Sequence, residues 1–225
     1  MSSRSFFSSS VGKKVLVALT GLALLGFLIT HLAGNLLVFL GADTFNTYSE
    51  ALVRNPLVVP AELALLAIFL AHAYNAVRVT LTNRAARPTA YARKSRAGGA
   101  SRKSVASTTM IVTGLVTLIF VGIHLQGFKY GPYYEATVDG EVVRDLYRLE
   151  MEAFGNPLVA GFYALVMALV GSHLWHGFWS AFQSLGAGDT SWSRRLQMVG
   201  WGLATLIAAG FFIIPVWAYF VGSSS

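Results

Sequence analysis

The chain has 225 residues, of which 55% are hydrophobic and only 12% charged, with a mean hydropathy of +0.58. Soluble domains carry about 25% charged residues, so no aqueous fold of this size could hide so much apolar surface, and lipid is the expected solvent. There is no cysteine, which excludes disulfides, thiolate metal sites, iron–sulfur ligation and covalent c-type haem attachment within the chain.

A helix crossing a bilayer needs about 20 apolar residues. Five stretches reach that length, at 15–40, 57–81, 105–128, 157–182 and 196–220. They predict an all-α integral membrane protein, a single membrane domain over 1–225 with four helices forming a bundle and a fifth beside it. Lys13-Lys14 precedes the first span, while Asn55-Pro56 and Asn156-Pro157 open the second and fourth. Proline is tolerated there because its missing N–H would be unpaired at a helix start anyway. Pro215 falls inside the fifth span, where a kink is expected. The first span is too long for a signal-peptide core and leads straight into others, so no cleavable leader is expected. No internal sequence repeat stands out beyond a histidine in each of the first four spans. Segment 129–156 has nine charged residues, six of them acidic. It is too long for a turn and reads as a cap over one end of the bundle.

The basic excess has a place. Five spans put the N-terminus and the second and fourth loops on one side, with Arg4, Lys13, Lys14, the eight cations from Arg78 to Lys103, Arg194 and Arg195, 13 of the 17. Of the acidic residues only Asp189 shares that side. The positive-inside rule puts the N-terminus in the cytoplasm and the C-terminus outside. The charge of +7 is thereby a topology signal, and nucleic acid is not an expected partner. The stretch from Arg84 to Lys103 reads as a lipid-facing anchor, with docking of a partner subunit as the alternative.

All five histidines, His31, His72, His124, His173 and His176, fall within spans. Ionisable side chains at membrane depth are costly and face the bundle interior, which makes them functional candidates. At about 1.5 Å per residue, His31 and His124 lie roughly 24 and 28 Å from the inner side, and His72 and His173 roughly 18 and 15 Å. An outer and an inner pair result. Two imidazoles facing each other at one depth suit axial ligation of haem iron, each ring using one nitrogen while the other N–H is held by an acceptor. His176, one turn further in, is the alternative to His173. Gly26, Gly34, Gly122, Gly127, Gly171 and Gly177 lie near these histidines, where a flat macrocycle would need small neighbours, although glycine also serves helix packing.

The runs Lys13-Lys14-x-Leu-x-Ala-Leu-Thr-Gly, His31-Leu-Ala-Gly-Asn-Leu, Phe45-Asn-Thr-Tyr48 and Asn83-Arg84-x-Ala-Arg87-Pro88 resemble the cytochrome b membrane-anchor subunit of succinate:quinone oxidoreductases. So do His124-Leu125 and His173-Leu-Trp-His176-Gly-Phe-Trp-Ser-Ala-Phe-Gln-Ser-Leu-Gly. The resemblance covers nearly the whole chain. It implies a five-helix anchor with two haem b groups, held by His31 with His124 and by His72 with His173. It also implies flavoprotein and iron–sulfur partner subunits, a bacterial plasma membrane, a possible higher oligomer of the complex, and electron delivery to a quinone, menaquinone being expected. Some diheme relatives carry an acid two residues before the fourth-span ligand. Gly171 stands there instead, which puts a proton route through that position in doubt.

Arg78, six residues inward of His72, could pair with a haem propionate or snorkel to the headgroups. Asn35, Glu62, His176 and Trp179 are the candidates to contact the quinone. Glu62 could equally serve the helix dipole, and Trp179 could belong to the interfacial belt. Two rival readings remain at this point. One is a histidine-lined proton or metal transport protein, the other a haem-free anchor whose histidines only bridge helices.

Overall fold

A computed structural model describes residues 9–85, 105–187 and 193–222. The long helices are α1 (Ser10–Asn35), α3 (Val58–Ala85), α4 (Val105–His124), α6 (Pro157–Ser184) and α7 (Ser193–Gly222), with α2 (Ala42–Arg54) and α5 (Leu146–Gly155) shorter. The five long ones are apolar and long enough to cross a membrane. The protein is an all-α, multi-pass membrane protein. Most basic residues of the second loop, Arg87 to Lys103, lie outside the described residues, as does Arg4.

Helix ends follow local chemistry. The Ser9 hydroxyl caps α1 by accepting from the Gly12 N–H at 3.0 Å. That start is five residues before the apolar run, because capping and not hydropathy decides where the helix begins. Asn156 caps α6 from the Leu158 N–H at 2.9 Å, with Pro157 in the first turn. α4 runs on into a π-helical turn, Leu125–Lys129, closed by Tyr130 N–H donating to the Leu125 carbonyl at 2.9 Å. α7 continues through Pro215, which is buried among its neighbours and does not end the helix.

Four helices close a ring. α1 packs on α3, α3 on α4, α4 on α6 and α6 back on α1. α1 therefore faces α4 across the middle, and α3 faces α6. α7 lies outside the ring against α6, α1 and α5. Small residues let it approach: a Cβ on Gly171 of α6 would stand 2.6 Å from the Ala208 methyl, and one on Gly210 of α7 would stand 2.8 Å from the Leu32 side chain. Close backbone approach of this kind drives helix association where lipid removes the hydrophobic effect.

The cap expected over one end of the bundle has secondary structure of its own. It holds amphipathic α2, the hairpin of β1 (Glu135–Val138) and β2 (Glu141–Arg144), and α5. Asp139 and Gly140 form the hairpin's two-residue turn with φ of 51° and 83°, the combination that matches strand twist. Buried Asn46 ties the cap together, donating to Asp145 Oδ1 at 2.8 Å and accepting from the Tyr147 N–H at 2.9 Å. At its exposed edge Arg148 lies over the Tyr134 ring and pairs with Glu152, whose carboxyl the Arg148 hydrogen bond holds below its ordinary range.

Glu150 sits in α5 with 6% exposure and no partner for Oε2 among the described residues. Burial pushes its carboxyl from 4.5 up to about 8. Across that window the unfolded chain releases a proton that the folded chain keeps, so stability falls as pH rises from about 4.5 to about 8, by at most about 1.4 kcal/mol per pH unit. Glu150→Gln is expected to flatten this dependence. Thermal unfolding in detergent at pH 5 and pH 8 reads it, and a wild type no less stable at pH 8 than at pH 5 contradicts the expectation.

Candidate functional site

The ring brings the histidines of facing helices together. His31 of α1 and His124 of α4 have ring centroids 5.9 Å apart with their planes at 82°. Aromatic rings enclose this outer pair: Phe27 stacks on His31 at 5.1 Å and Phe120 on His124 at 5.7 Å, with Phe211, Phe128 and Tyr163 around them. On the other diagonal, His173 of α6 has His72 of α3 and its own neighbour His176 within electrostatic reach.

The inner histidines are held by the adjacent helices. His72 Nδ1 lies 3.1 Å from Thr20 Oγ1 and 3.2 Å from the Val17 carbonyl oxygen, both on α1. His173 Nδ1 lies 3.1 Å from Thr113 Oγ1, and the imidazole has a backbone hydrogen bond to Met110, both residues on α4. These contacts register the levels. His72 lies beside Thr20, eleven residues before His31, and His173 beside Thr113, eleven before His124. Along the helices the two levels are thus about 16 Å apart.

An internal repeat that composition and hydropathy had not suggested underlies this symmetry. Thr20-Gly-Leu-x-x-Leu-x-Phe27-x-x-x-His31-Leu-x-Gly34 recurs as Thr113-Gly-Leu-x-x-Leu-x-Phe120-x-x-x-His124-Leu-x-Gly127. Asn55-Pro-Leu-Val58 and Asn156-Pro-Leu-Val159 each precede a histidine, His72 and His173, at the same spacing. Their structural roles repeat as well, since Asn55 and Asn156 each accept from the N–H two residues on at 2.9 Å.

Several expected site residues have other partners. Glu62 is exposed and paired with Lys129, joining α3 to the end of α4. Arg78 lies 5.5 Å from the centre of the Tyr74 ring, and both side chains are exposed. Asn35 Nδ2 donates to the His31 carbonyl at 2.8 Å and lies 3.3 Å from His31 Nδ1, so its first contact is with the outer histidine itself. His176 and Trp179 are half-buried on α6. Among the expected glycines, Gly34 takes the Tyr48 ring and Gly171 takes α7, whereas Gly26 and Gly122 have open space where a Cβ would stand. The glycines that meet imidazoles are Gly21 and Gly114, each following its threonine.

The residues fit a bis-histidine haem. With metal–imidazole bonds of about 2 Å, two axial rings have centres roughly 6 Å apart, and the outer pair stands at 5.9 Å. None of the four Nε2 atoms is hydrogen-bonded among the described residues, while three of the four Nδ1 atoms have a polar neighbour. His124 Nδ1 is buried with no partner among the described residues. Among the described residues no three histidine or acidic side chains gather as a metal site. Between the two levels the bundle is filled by Leu22, Leu25, Val116, Phe120 and Val166, an apolar fill that does not favour a hydrated transport path.

No protein-family model matches the chain. Over 172 residues it is 28% identical to the succinate dehydrogenase cytochrome b558 subunit of Bacillus subtilis (strain 168), covering 76% of this chain and 77% of that relative. The likeness to cytochrome b anchors read from the sequence motifs is borne out by this relative.

A methyl added at Gly21 would stand 3.0 Å from His72 Cε1, and one at Gly114 would stand 3.3 Å from His173 Cε1. Helix propensity favours alanine by about 1 kcal/mol, but overpacking costs about 1–3 kcal/mol. Gly21→Ala is therefore expected to destabilise, and more than Gly114→Ala. Gly161→Ala and Gly202→Ala, which meet nothing within 4 Å, should stabilise by up to about 1 kcal/mol. Thermal unfolding of the four variants checks the order.

Proposed function

We propose that this chain is the membrane anchor of a succinate:quinone oxidoreductase, a diheme cytochrome b that carries electrons from an iron–sulfur subunit to a membrane quinone, in our reading menaquinone. The observation that carries this is the arrangement of four imidazoles as two facing pairs on the diagonals of one helical ring. The relative in Bacillus subtilis, named as a cytochrome subunit of succinate dehydrogenase, supports the assignment of the complex.

His31 and His124 would hold the outer haem, His72 and His173 the inner one. Bound haem b supplies reversible one-electron chemistry at iron. The chain's own residues do the rest. The neutral imidazoles offer their Nε2 lone pairs, the hydroxyls and carbonyls of α1 and α4 orient the inner rings, and the aromatic side chains around His31 and His124 keep water from the outer level. With no cysteine, the chain cannot hold the iron–sulfur centres, so those and the flavin belong to partner subunits. In this reading they dock on the basic inner face. Succinate chemistry is theirs and not this chain's. Asn35, which already touches His31, is the best of the four quinone candidates, ahead of His176, Trp179 and the ion-paired Glu62.

A reduced-minus-oxidised spectrum of the purified chain tests the reading. Two low-spin b haems per chain are expected. His31→Ala or His124→Ala should remove one component, His72→Ala or His173→Ala the other, and His176→Ala neither. Absence of b haem from the purified, folded wild type overturns the proposal.

The basic face gives a second test. Because the natural chain lacks cysteine, single cysteines placed at Ser101 and at Asp139 can be labelled without background. A membrane-impermeant maleimide added to whole cells should label the Asp139→Cys chain and spare Ser101→Cys. The reverse result would invert the topology.

A further inference from the structure

We propose that Thr20 and Thr113 are positioning residues for the inner iron ligands. Each hydroxyl fixes its histidine in the tautomer that carries hydrogen on Nδ1 and turns the Nε2 lone pair to the centre of the bundle. The inference rests on the diheme reading above and deepens it.

Hydrogen accounting leads to this assignment. Thr20 Oγ1 lies 2.6 Å from the Leu16 carbonyl and 3.3 Å from that of Val17, so its one hydrogen is spent on its own helix. Thr113 Oγ1 does the same toward Thr109 at 3.2 Å and Met110 at 3.1 Å. What each hydroxyl offers a histidine is a lone pair. The second neighbour of His72 Nδ1 is the Val17 carbonyl, and the His173 imidazole likewise has a backbone hydrogen bond to Met110, each residue three before the threonine. Both Nδ1 atoms face acceptors only, and a neutral imidazole meets that by holding its proton there. Nε2 is left with the lone pair a metal requires. Gly21 and Gly114 complete each cradle, since the imidazole Cε1 lies where their side chains would begin.

A threonine bonding back to its own helix is common in membrane spans and would by itself mean little. Here the same hydroxyl, carbonyl, glycine and imidazole are assembled twice, from two copies of one sequence motif, on opposite sides of one ring. The outer level has no such cradle: His31 Nδ1 faces the Asn35 amide and His124 Nδ1 has no partner among the described residues. The device is specific to the inner pair.

A hydrogen bond from Nδ1–H makes the imidazole a stronger donor to the metal and favours ferric iron. Removing the hydroxyl acceptor should raise the midpoint potential of the inner haem and leave the outer one in place. The retained carbonyl makes the shift partial, and Thr20→Val with Thr113→Val together should shift further than either alone.

The test is an optical redox titration of the complete complex. His72→Ala first identifies the inner component by its loss. Thr20→Val and Thr113→Val are expected to move that component's midpoint upward, or to lose that haem alone, while Thr20→Ser and Thr113→Ser restore wild-type behaviour. Should the valine chains fail to accumulate, Thr20→Ala and Thr113→Ala remove the same hydroxyl without adding bulk and read the same midpoint. An inner midpoint unmoved in variants that keep both haems overturns the proposal, as does an equal movement of the outer one or failure of serine to restore. A wild type without b haem would instead overturn the diheme reading, so the two failures are distinct.

Discussion

An imidazole at bilayer depth has one nitrogen that must donate and one that must accept, and no water is at hand to satisfy either. Much of the bundle is arranged around that requirement. At the inner level the adjacent helix takes the donor, through a hydroxyl whose own hydrogen is already committed and a carbonyl one turn below it. The acceptor nitrogen is thereby left for a ligand, as proposed above. Ring order follows: α1 and α4 must neighbour α3 and α6 to hold their histidines, and must face each other to bring His31 and His124 within 5.9 Å. One side chain on each of α1 and α4 serves its own diagonal, and another serves the diagonal that crosses it.

This double duty explains why the repeat has two parts. The Thr-Gly…Phe…His run belongs to α1 and α4, and the Asn-Pro-Leu-Val…His run to α3 and α6. Neither half of the chain completes a level alone, because each contributes one histidine to each pair. The first run recurs 93 residues on and the second 101 residues on. The difference lies in the longer outer connection of the second half, where the β1–β2 hairpin sits. Extra length at that point rests on the cap and leaves both levels in register.

The five long helices were legible in the sequence because hydropathy over 20 residues is a strong signal, and Asn-Pro marked two helix starts correctly. The facing of His31 with His124 could be read as depth, since rise per residue converts position into height. What hydropathy could not show was partnership between helices. Thr20 and Thr113 look like ordinary polar residues of a span until a neighbouring ring is seen against them. Gly21 and Gly114 escaped notice because nearness in sequence to a histidine is a poor guide to contact; Gly34, three residues from His31, in fact takes Tyr48. The hairpin has a readable cue in Asp139-Gly140 between short β-branched runs, within a segment whose charge is its more prominent feature. The repeat is hard to see because most positions between its fixed residues differ between the two copies.

The fifth helix has a role the ring makes intelligible. α3 has no fully buried residue, whereas α7 buries Ala204, Ile207, Ile214, Pro215 and Ala218. On its α3 side the ring of four helices buries little, and it forgoes there the dispersion energy that close packing supplies. α7 restores tight contact on one flank. Small residues meet small or flexible ones there: Gly171 against Ala208, Gly210 against Leu32 and Gly200 against Phe178. α6 is thereby clamped between α7 on its outside and the ring on its inside, and α6 carries both His173 and His176. Packing against α7 therefore braces the ring from outside, on the helix that carries two of the five histidines.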